Sequence, residues 1–374
     1  MDTTIRELRT RNELYQFIDF PHHLYAGNAY WVPSMRKSEL DTLDWDVNPA
    51  FATCEARYWL AERDGEIVGR IAGIINRRHH EVWNQPYMRF GWLDMIDNRQ
   101  VTYALLAKVE EWARAEGLRA VHGPLGFTNL DHNGVLVEGF DELATMAAGY
   151  NFPYYMDHME AAGYGKDVDY VEYLMPMIDE LSPKIVKLAE LVQKRYDLHF
   201  LSVKNKKELV PYARELFTLL GAEYKHLYSV VPLTEEQVEG YIDQNFGFIS
   251  PEFVPIILNK EGKMAAFGIV LPSLSRAMQK ANGRLFPFGF LHILRALRVN
   301  DRMDLMLIAI TKEYQGKGVN AMLINRMFKL FRKMDIQYVE SNPELESNIA
   351  VQAQWKHFDR RQHRRRRIYI KHLD

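Results

Sequence analysis

The sequence is poor in the residues that build disulfides, metal clusters and membrane spans. Its 374 residues include a single cysteine, Cys54, which excludes an intramolecular disulfide and any cysteine-rich metal site. No apolar run approaches the roughly 18 residues that cross a bilayer. The first nine residues also lack the apolar core of a signal peptide. These absences predict a cytoplasmic protein, with peripheral membrane contact left open.

The net charge and the spacing of the histidines argue against two further classes, DNA-binding proteins and metal-binding proteins. The net charge of -2 argues against a protein whose main ligand is DNA. The histidines at 79, 80 and 132 lack the His-x-x-x-His or His–Glu spacing of a metal site, so no metal is expected. The apolar fraction of 47% supplies a sizeable core, and the chain length favours two domains.

The predicted elements come in the same order in both halves of the chain. In the second half, apolar periodicity predicts a strand, two helices, three strands, a helix, a strand, a helix and a strand. The first half repeats this order. We therefore expect an α/β fold of two tandem domains, each with a mixed central sheet flanked by helices. The expected boundaries are residues 1–178, a connecting helix at 179–198, and residues 199–374.

A Gly-rich turn in the second half carries the clearest functional pattern. Residues 302–311 read as a buried strand, Tyr314–Asn320 as a turn with two glycines, and Ala321–Met334 as an amphipathic helix. A strand, a Gly-rich turn and a helix present backbone N–H groups and the positive end of the helix dipole to an anion. The Walker and dinucleotide patterns are both missing, because neither Gly-Lys-Ser/Thr nor a third glycine follows. The turn predicts a phosphate site for another kind of nucleotide.

This turn resembles the acyl-CoA pyrophosphate loop of the GNAT acyltransferase superfamily, which reads Gln or Arg, two residues, Gly, one residue, then Gly or Ala. Gln315 and Gly318 match, and Asn320 departs at the last position. The resemblance implies acetyl-CoA or a longer acyl-CoA as co-substrate. The residues it implies around the thioester and the pyrophosphate are Ile308, Ile310, Thr311, Gln315, Gly316, Lys317, Gly318, Val319, Asn320 and Asn348.

The corresponding turn of the first half has a different composition. It reads Asp97-Asn98-Arg99-Gln100, with no glycine and with a carboxylate. A carboxylate repels a pyrophosphate. We therefore expect the first half to keep the fold without the acyl-CoA site and to serve the acceptor side.

A closer resemblance, to the bacterial ceramide-synthase-like family of GNAT proteins, extends over most of the chain. Its motifs appear here as Gly123-Pro124, Leu136–Asp141, Tyr154-Tyr155, Glu160–Tyr164, Leu271-Pro272 and Asn282–Gly289. The resemblance implies an N-acyltransferase whose acceptor is a small-molecule amine or a lipid amine of the sphingoid type. One departure is Glu223–Tyr228, where the family often has a Trp-rich stretch.

Acyl transfer to an amine requires a base for the amine, a donor that polarises the thioester carbonyl, and a proton for the leaving thiolate. The resemblance assigns the second role to a backbone N–H within Ile308–Thr311. The superfamily often places a tyrosine acid seven residues beyond the Asn of the last helix. Here that residue is Trp355, so Tyr338 or water must protonate the leaving thiolate. The candidate bases are carboxylates near the expected cleft or on the acceptor side: Glu346, Glu340, Glu138 and Asp141.

Two further segments allow more than one interpretation. Arg360–Arg367 is strongly basic, and we favour a terminal edge strand with a basic solvent face over an anion-binding segment. Phe286–Arg298 is apolar on most faces, and we favour core packing over a membrane-surface helix. Two rival functions also stay open. One is an aminoacyl-tRNA-dependent transferase that uses the basic segment, and the other is a non-catalytic acyl-CoA-binding protein.

Overall fold

The computed structural model describes residues 3–243 and 249–374. The described strands are β1 (Thr4–Glu7), β2 (Cys54–Arg63), β3 (Glu66–Asn76), β4 (Tyr87–Met95), β5 (Ala120–Gly123), β6 (Val135–Glu138), β7 (Gly165–Pro176), β8 (His199–Phe200), β9 (Ile256–Leu258), β10 (Met264–Pro272), β11 (Arg302–Ile310), β12 (Tyr338–Ser341), β13 (Glu344–Leu345) and β14 (Arg361–His372). They form one mixed sheet.

Helices cover the sheet in both halves. They are α1 (Arg11–Leu24), α2 (Arg36–Leu43), α3 (Arg77–Trp83), α4 (Arg99–Ala115), α5 (Tyr154–Ala161), α6 (Pro183–Arg195), α7 (Lys206–Tyr224), α8 (Glu235–Tyr241), α9 (Ser275–Ala281), α10 (Gly289–Ala296), α11 (Val319–Lys333) and α12 (Ile349–Gln352). None of the helices in the described ranges is long and apolar enough to cross a membrane.

Strand exchange joins the two halves. The order in the sheet is β1-β2-β3-β4-β5-β14-β7-β12-β11-β10-β9-β8, with β6 beside β14 and β13 beside β7. β7, the last strand of the first half, pairs antiparallel with β12 of the second half. β14, the last strand of the chain, pairs antiparallel with β5 of the first half. The division into residues 1–178 and 199–374 stays a prediction, and the exchange means that each half contributes a strand to the other.

The C-terminal strand lies in the middle of the sheet, so the expectation of an edge strand with a basic solvent face is wrong. Arg364 and Arg366 of β14 are each 1% exposed. Both donate to the Glu172 carboxylate on β7, at 2.8 and 2.7 Å, and Arg364 also donates to Glu340 on β12. Buried charges persist only when they are paired in this way. The sequence pattern alone favoured an edge because most basic runs are solvated.

The other arginines of this strand are also engaged. Arg365 and Arg367 both donate to Asp169 on β7, at 3.1 and 2.9 Å, and the pKa of the Asp169 carboxyl is lowered because these bonds outweigh burial. At the start of the strand, Arg361 pairs with Glu142 at 2.6 Å. The strand is therefore a network that holds the two halves together. It does not offer the free basic surface on which the tRNA-dependent hypothesis depended.

The segment that follows α9 is exposed, so the expectation of core packing for Phe286–Arg298 is wrong. Gly289 is the buried residue of α10. The side of this segment that faces away from the protein carries large apolar residues: Phe286, Phe288, Leu291, Leu294 and Val299, which are 78, 70, 51, 48 and 69% exposed. The opposite side packs against the first half, where Ile293 contacts the cluster around Tyr25 and Tyr150.

Candidate active site

Strands β11 and β12 run parallel and then part. They pair from Arg302 to Leu305, and Asn342 closes the paired region by donating its backbone N–H to the Leu305 carbonyl at 3.1 Å. Beyond this point the chain leaves β11, because β13 pairs with β7 instead. On its other side β11 stays paired with β10, with Met306 as an extra residue in a bulge. A cleft therefore opens beside the second half of β11, as the resemblance implies.

Two predicted residues point backbone groups into this cleft. Ile308 pairs with Gly268 of β10, but the Gly268 N–H points the other way and donates to the Pro255 carbonyl. Three residues further along β11, the Thr311 N–H donates to the Ala265 carbonyl. In an antiparallel ladder the bonding direction alternates, so the N–H and C=O of Ile308 and Ile310 face away from β10. Both are therefore placed to meet a ligand in the cleft. The Thr311 N–H is not, because Ala265 accepts it at 2.9 Å.

The Gly-rich turn leads from this strand to helix α11. Gly316 and Gly318 have φ of 70° and 82°, a left-handed conformation that favours glycine. Within the described residues, the backbone N–H groups of Gly316, Gly318, Val319 and Asn320 donate to no other group. Together with the dipole of a 15-residue helix, these donors suit a pyrophosphate.

The side chains of the turn partly serve its own structure. The Gln315 amide donates to Glu223 of α7 at 2.6 Å and to the Ile310 carbonyl at 2.9 Å, so it fixes the turn rather than extending toward a ligand. Lys317 is exposed and lies 5.2 Å from the ring centroid of Tyr196, which leaves its ammonium group at the mouth of the turn. Glu223 was not predicted, because α7 precedes the turn by about 90 residues of sequence.

Glu344 stands at the opening of the cleft. Its Oε1 accepts a 2.7 Å hydrogen bond from Nε1 of Trp355, and its Oε2 is buried without a partner among the described residues. Burial raises the pKa of the Glu344 carboxyl to about 7, although the Trp355 bond opposes the rise. A carboxylate with such a pKa and one free oxygen can take a proton near neutral pH.

Tyr224 contacts β11 and feels the charge of Glu344. Its hydroxyl donates to the Ile308 carbonyl at 2.9 Å. Burial raises the pKa of Tyr224 to about 12, and the Glu344 charge adds to the rise. The hydroxyl is therefore protonated at neutral pH and lies beside the strand expected to hold the thioester. Tyr224 was not predicted to lie at the cleft, because the sequence gives no sign that positions 224 and 308 meet, and Glu344 was not chosen as a base.

An apolar cavity of about 50 Å³ borders the same place. Trp355 forms part of its wall and simultaneously holds Glu344 through its ring N–H. The position where the superfamily often has a tyrosine acid thus serves here to orient a carboxylate. The rest of the wall comes from β7, β11, β12 and α11, including Met175, Leu305, Met327, Phe331 and Val339.

The structure places the four predicted bases away from this opening. Glu346 is bound by Lys166 at 2.6 Å and by Arg365 at 2.8 Å, and these partners lower the pKa of its carboxyl. Glu138 pairs with Arg365 at 3.2 Å, and Asp141 is exposed.

Glu340, the fourth, lies in the paired part of the strands. It is 2% exposed and is bound by Arg364 and Arg302. Its neighbour across the parallel pair is Asp304. Burial and the Glu340 charge raise the pKa of Asp304 to about 8, which keeps this pair from holding two charges at neutral pH. Asn348, predicted to contact the ligand, caps α12 through its side-chain oxygen.

The first half is arranged differently at the matching turn. The Asn98 side chain accepts from the N–H groups of Gln100 and Val101 at 3.0 and 3.3 Å, so the start of α4 already uses these donors. Asp97 stands at the same end, 3.1 Å from Nε2 of His158. The start of α4 therefore offers a pyrophosphate few free N–H groups, and the Asp97 carboxylate repels it.

A second cavity lies in the first half, with a volume of about 110 Å³. Its polar centre is Asp94 of β4, whose carboxylate accepts from the hydroxyls of Tyr25 and Tyr155 at 2.7 and 3.2 Å and from Arg70 at 2.8 Å. Burial and the Asp94 charge hold the pKa of both tyrosines well above the usual range. Neither Glu138 nor Asp141 lines this cavity.

Comparisons with known proteins give a family match that lies within the first half of the chain. Residues 24–124 match the model of the acetyltransferase (GNAT) family. The chain is 28% identical over 376 residues to protein YghO of Escherichia coli (strain K12), covering 99% of this chain and 95% of that protein. It is 26% identical over 373 residues to a bacterial ceramide synthase of Caulobacter vibrioides, covering 94% and 92%.

Solved structures extend the likeness to the whole fold. The tandem GNAT protein from the clavulanic acid biosynthesis pathway, without AcCoA, has a TM-score of 0.55 at 12% identity, covering 99% of this chain and 98% of that chain. Residues 24–124 thus match the GNAT acetyltransferase family, and the whole chain shares the fold of a tandem GNAT protein. In sequence it resembles the bacterial ceramide synthase over nearly its whole length. The predicted fold class and superfamily are both confirmed.

Proposed function

We propose that this protein is an acyl-CoA-dependent N-acyltransferase that binds the thioester in its second half and uses Glu344 as the base. The observation that carries the proposal is the position of the Glu344 carboxylate. One oxygen is fixed by Trp355 and the other is buried and free, at the point where β11 and β12 part. A raised pKa at this place suits a group that removes a proton from an amine.

The residues of the cleft supply each part of the reaction. Glu344 takes a proton from the ammonium form of the acceptor, and the freed amine attacks the thioester carbonyl. The backbone N–H of Ile308 or Ile310 stabilises the negative charge on the carbonyl oxygen. As the carbon–sulfur bond breaks, the Tyr224 hydroxyl protonates the thiolate and regains its proton from the new amide nitrogen through water. Glu344 then releases its proton to solvent.

The donor is assigned to the second half for two reasons. The free N–H groups at the start of α11 suit a pyrophosphate, whereas the start of α4 is capped by Asn98 and faces Asp97. The apolar cavity beside Trp355 also suits the methylenes of a pantetheine arm or an acyl group. GNAT proteins generally use acetyl-CoA or a longer acyl-CoA, which supports the kind of donor. The family match itself lies in residues 24–124 of the first half, so the choice of half depends on the two observations above.

The acceptor is proposed to be an amine, and one of the two relatives favours a lipid amine. The similarity to a bacterial ceramide synthase over 94% of the chain supports a sphingoid-type acceptor. The rival function is that of an acyl-CoA-binding protein without catalytic activity. Glu344 argues against it, because ligand binding alone requires no buried carboxylate with a free oxygen.

Amine-dependent release of the CoA thiol tests the proposal. The purified chain is mixed with acetyl-CoA or palmitoyl-CoA and a panel of small and sphingoid amines, and free thiol and acylated amine are measured together. We expect thiol release that depends on the amine. Gly318→Glu places a carboxylate at the start of α11 and should abolish release, although its Cβ also meets Leu188 at 3.2 Å. Gly316→Glu adds a carboxylate to the same turn with nothing within 4 Å of its Cβ, and it should act alike. Gly262→Glu, at a remote turn with similar φ and equally open space, should not.

Two results contradict the proposal. Binding of acyl-CoA without amine-dependent cleavage over the whole panel favours the non-catalytic protein. Thiol release that survives Gly318→Glu places the donor elsewhere.

A further inference from the structure

The segment from Phe286 to Val299 forms an apolar surface without a partner in the described chain. Five of its large side chains are 48 to 78% exposed. They include Phe286 and Phe288 before α10, Leu291 and Leu294 on one face of α10, and Val299 just after it. Single apolar residues scattered over a surface are ordinary, but five that are exposed within one segment of 14 residues are not scattered. We refer to these five residues as the apolar face.

Cations surround this face. Lys280, Arg284, Arg295 and Arg298 are exposed, and in the described ranges none of them has an ion-pair partner. No Asp or Glu occurs between Glu261 and Asp301, although the whole chain has 49 acidic residues. An unpaired basic rim around protruding aromatic and aliphatic side chains is the arrangement of a segment that lies at a membrane interface.

The preceding helix α9, against which α10 packs, ties the segment to the first half. Gln279 of α9 donates to the backbone carbonyls of Ala29 and Trp31 at 2.9 Å, and Arg36 donates its N–H to the Gly283 carbonyl at 2.9 Å. The inner side of the segment therefore packs on the first half while its outer side faces solvent. The face is presented by the body of the protein and does not depend on a separate tail.

A second copy of the chain fits this face less well than a bilayer does. A symmetric dimer through the apolar face would bring the same patch of both copies together. The four unpaired cations of one copy would then meet the four of the other, and like charges at an interface cost affinity. An anionic membrane surface instead satisfies the cations while the apolar side chains enter the acyl boundary.

We propose that the apolar face and its basic rim dock this protein onto a bilayer that contains anionic lipids. Phe288, Leu291 and Leu294 enter the interface, and Arg295 and Arg298 pair with lipid phosphates. The protein is then peripheral. This inference does not depend on the acyl-transfer reaction, although a lipid amine acceptor would be reached from the same surface.

Sedimentation with vesicles tests the docking. The full chain, without acyl-CoA, is incubated with phosphatidylcholine vesicles or with vesicles of phosphatidylcholine and 30% phosphatidylglycerol. We expect binding to the second kind that weakens at 0.5 M salt, because screening shortens the reach of the charges. Phe288→Ser with Leu291→Ser should lower the partition coefficient at least tenfold. Arg295→Glu with Arg298→Glu should do the same, since each basic residue contributes about fivefold.

Matched controls separate the face from general surface properties. Val47→Ser with Val82→Ser removes two apolar side chains that are also about half exposed, and Arg99→Glu with Arg119→Glu reverses two exposed charges elsewhere. Neither pair should change binding. Circular dichroism checks that each variant is folded.

Three outcomes would overturn the docking proposal. They are no binding to the anionic vesicles, equal binding to both kinds of vesicle, and binding that the face variants leave unchanged. Analytical ultracentrifugation tests the alternative, in which a second copy of the chain binds the apolar face. A concentration-dependent dimer that Phe288→Ser with Leu291→Ser abolishes, in a chain that ignores vesicles, would assign the face to a second copy.

Discussion

Replacing Glu344 with glutamine removes the proposed base while leaving its surroundings almost unchanged. The glutamine amide oxygen can still accept the Trp355 bond, which measures 2.7 Å with the carboxylate, and the loss of a buried charge does not cost stability. A positioned general base contributes about 10² to 10⁴ in rate, or about 3 to 5 kcal/mol of the activation barrier. We expect Glu344→Gln to lose this much of kcat and to bind acyl-CoA as before.

The pH dependence makes the prediction more specific. The pKa of the Glu344 carboxyl is about 7, and the base must be ionised. About a tenth of the protein is therefore competent at pH 6 and about nine tenths at pH 8. The amine acceptor also loses protons as the pH rises, but it does so equally for both proteins. The ratio of wild-type to Glu344→Gln rates should therefore rise about tenfold from pH 6 to pH 8 and then level off.

The assay is the initial rate of thiol release at saturating acyl-CoA, measured every half pH unit. Glu346→Gln is the matched comparison, because Glu346 lies two residues away and is bound by Lys166 and Arg365. We expect it to keep most of the rate. A flat rate ratio across this range would refute the assignment of Glu344, as would a large loss in Glu346→Gln with full activity in Glu344→Gln.

Two further predictions concern the residues that support the site. Trp355→Phe removes the N–H that lowers the pKa of Glu344. The acidic limb of the pH–rate profile should therefore move to higher pH by about one to two units. A limb that does not move would show that this hydrogen bond does not set the pKa of Glu344. Arg364→Met leaves Glu172 and Glu340 buried with a partner removed, so the free energy of unfolding should fall by about 3 to 5 kcal/mol. Urea denaturation measures this loss, and a loss under 1 kcal/mol would mean that the strand exchange does not depend on the pair.

Much of the fold followed from local patterns. The strand at 302–310, the Gly-rich turn and the helix to Lys333 each carry their periodicity or turn residues within a few positions, so this strand, turn and helix could be located from the sequence. The hairpins of β2 with β3 and of β9 with β10 are equally local, with Gly65 and Gly262 in their turns.

The exchange of β7 and β14 was out of reach for a physical reason. Both strands end a half and both suit the space beside β5 or β12, so the order of elements along the chain is the same with or without exchange. The burial of Arg364 and Arg366 follows from that exchange. It depends on Glu172, which lies nearly 200 residues earlier, and a basic run alone indicates a solvated edge.

Glu344 was not chosen as the base for a similar reason. Glu344 and Glu346 look alike in sequence, since both follow the strand that ends at Ser341. Their difference comes from contacts: Trp355 and burial at one, Lys166 and Arg365 at the other. Such differences in pKa arise only when the chain has folded.

Calorimetric titration of acetyl-CoA and palmitoyl-CoA into wild type, Gly318→Glu and Gly262→Glu tests the central claim most directly. The account predicts that wild type and Gly262→Glu bind at least one thioester with equal affinity and that Gly318→Glu binds neither, because an added carboxylate at the start of α11 repels the pyrophosphate. Failure of wild type to bind either thioester, or equal binding by Gly318→Glu, would contradict an acyl-CoA site in the second half.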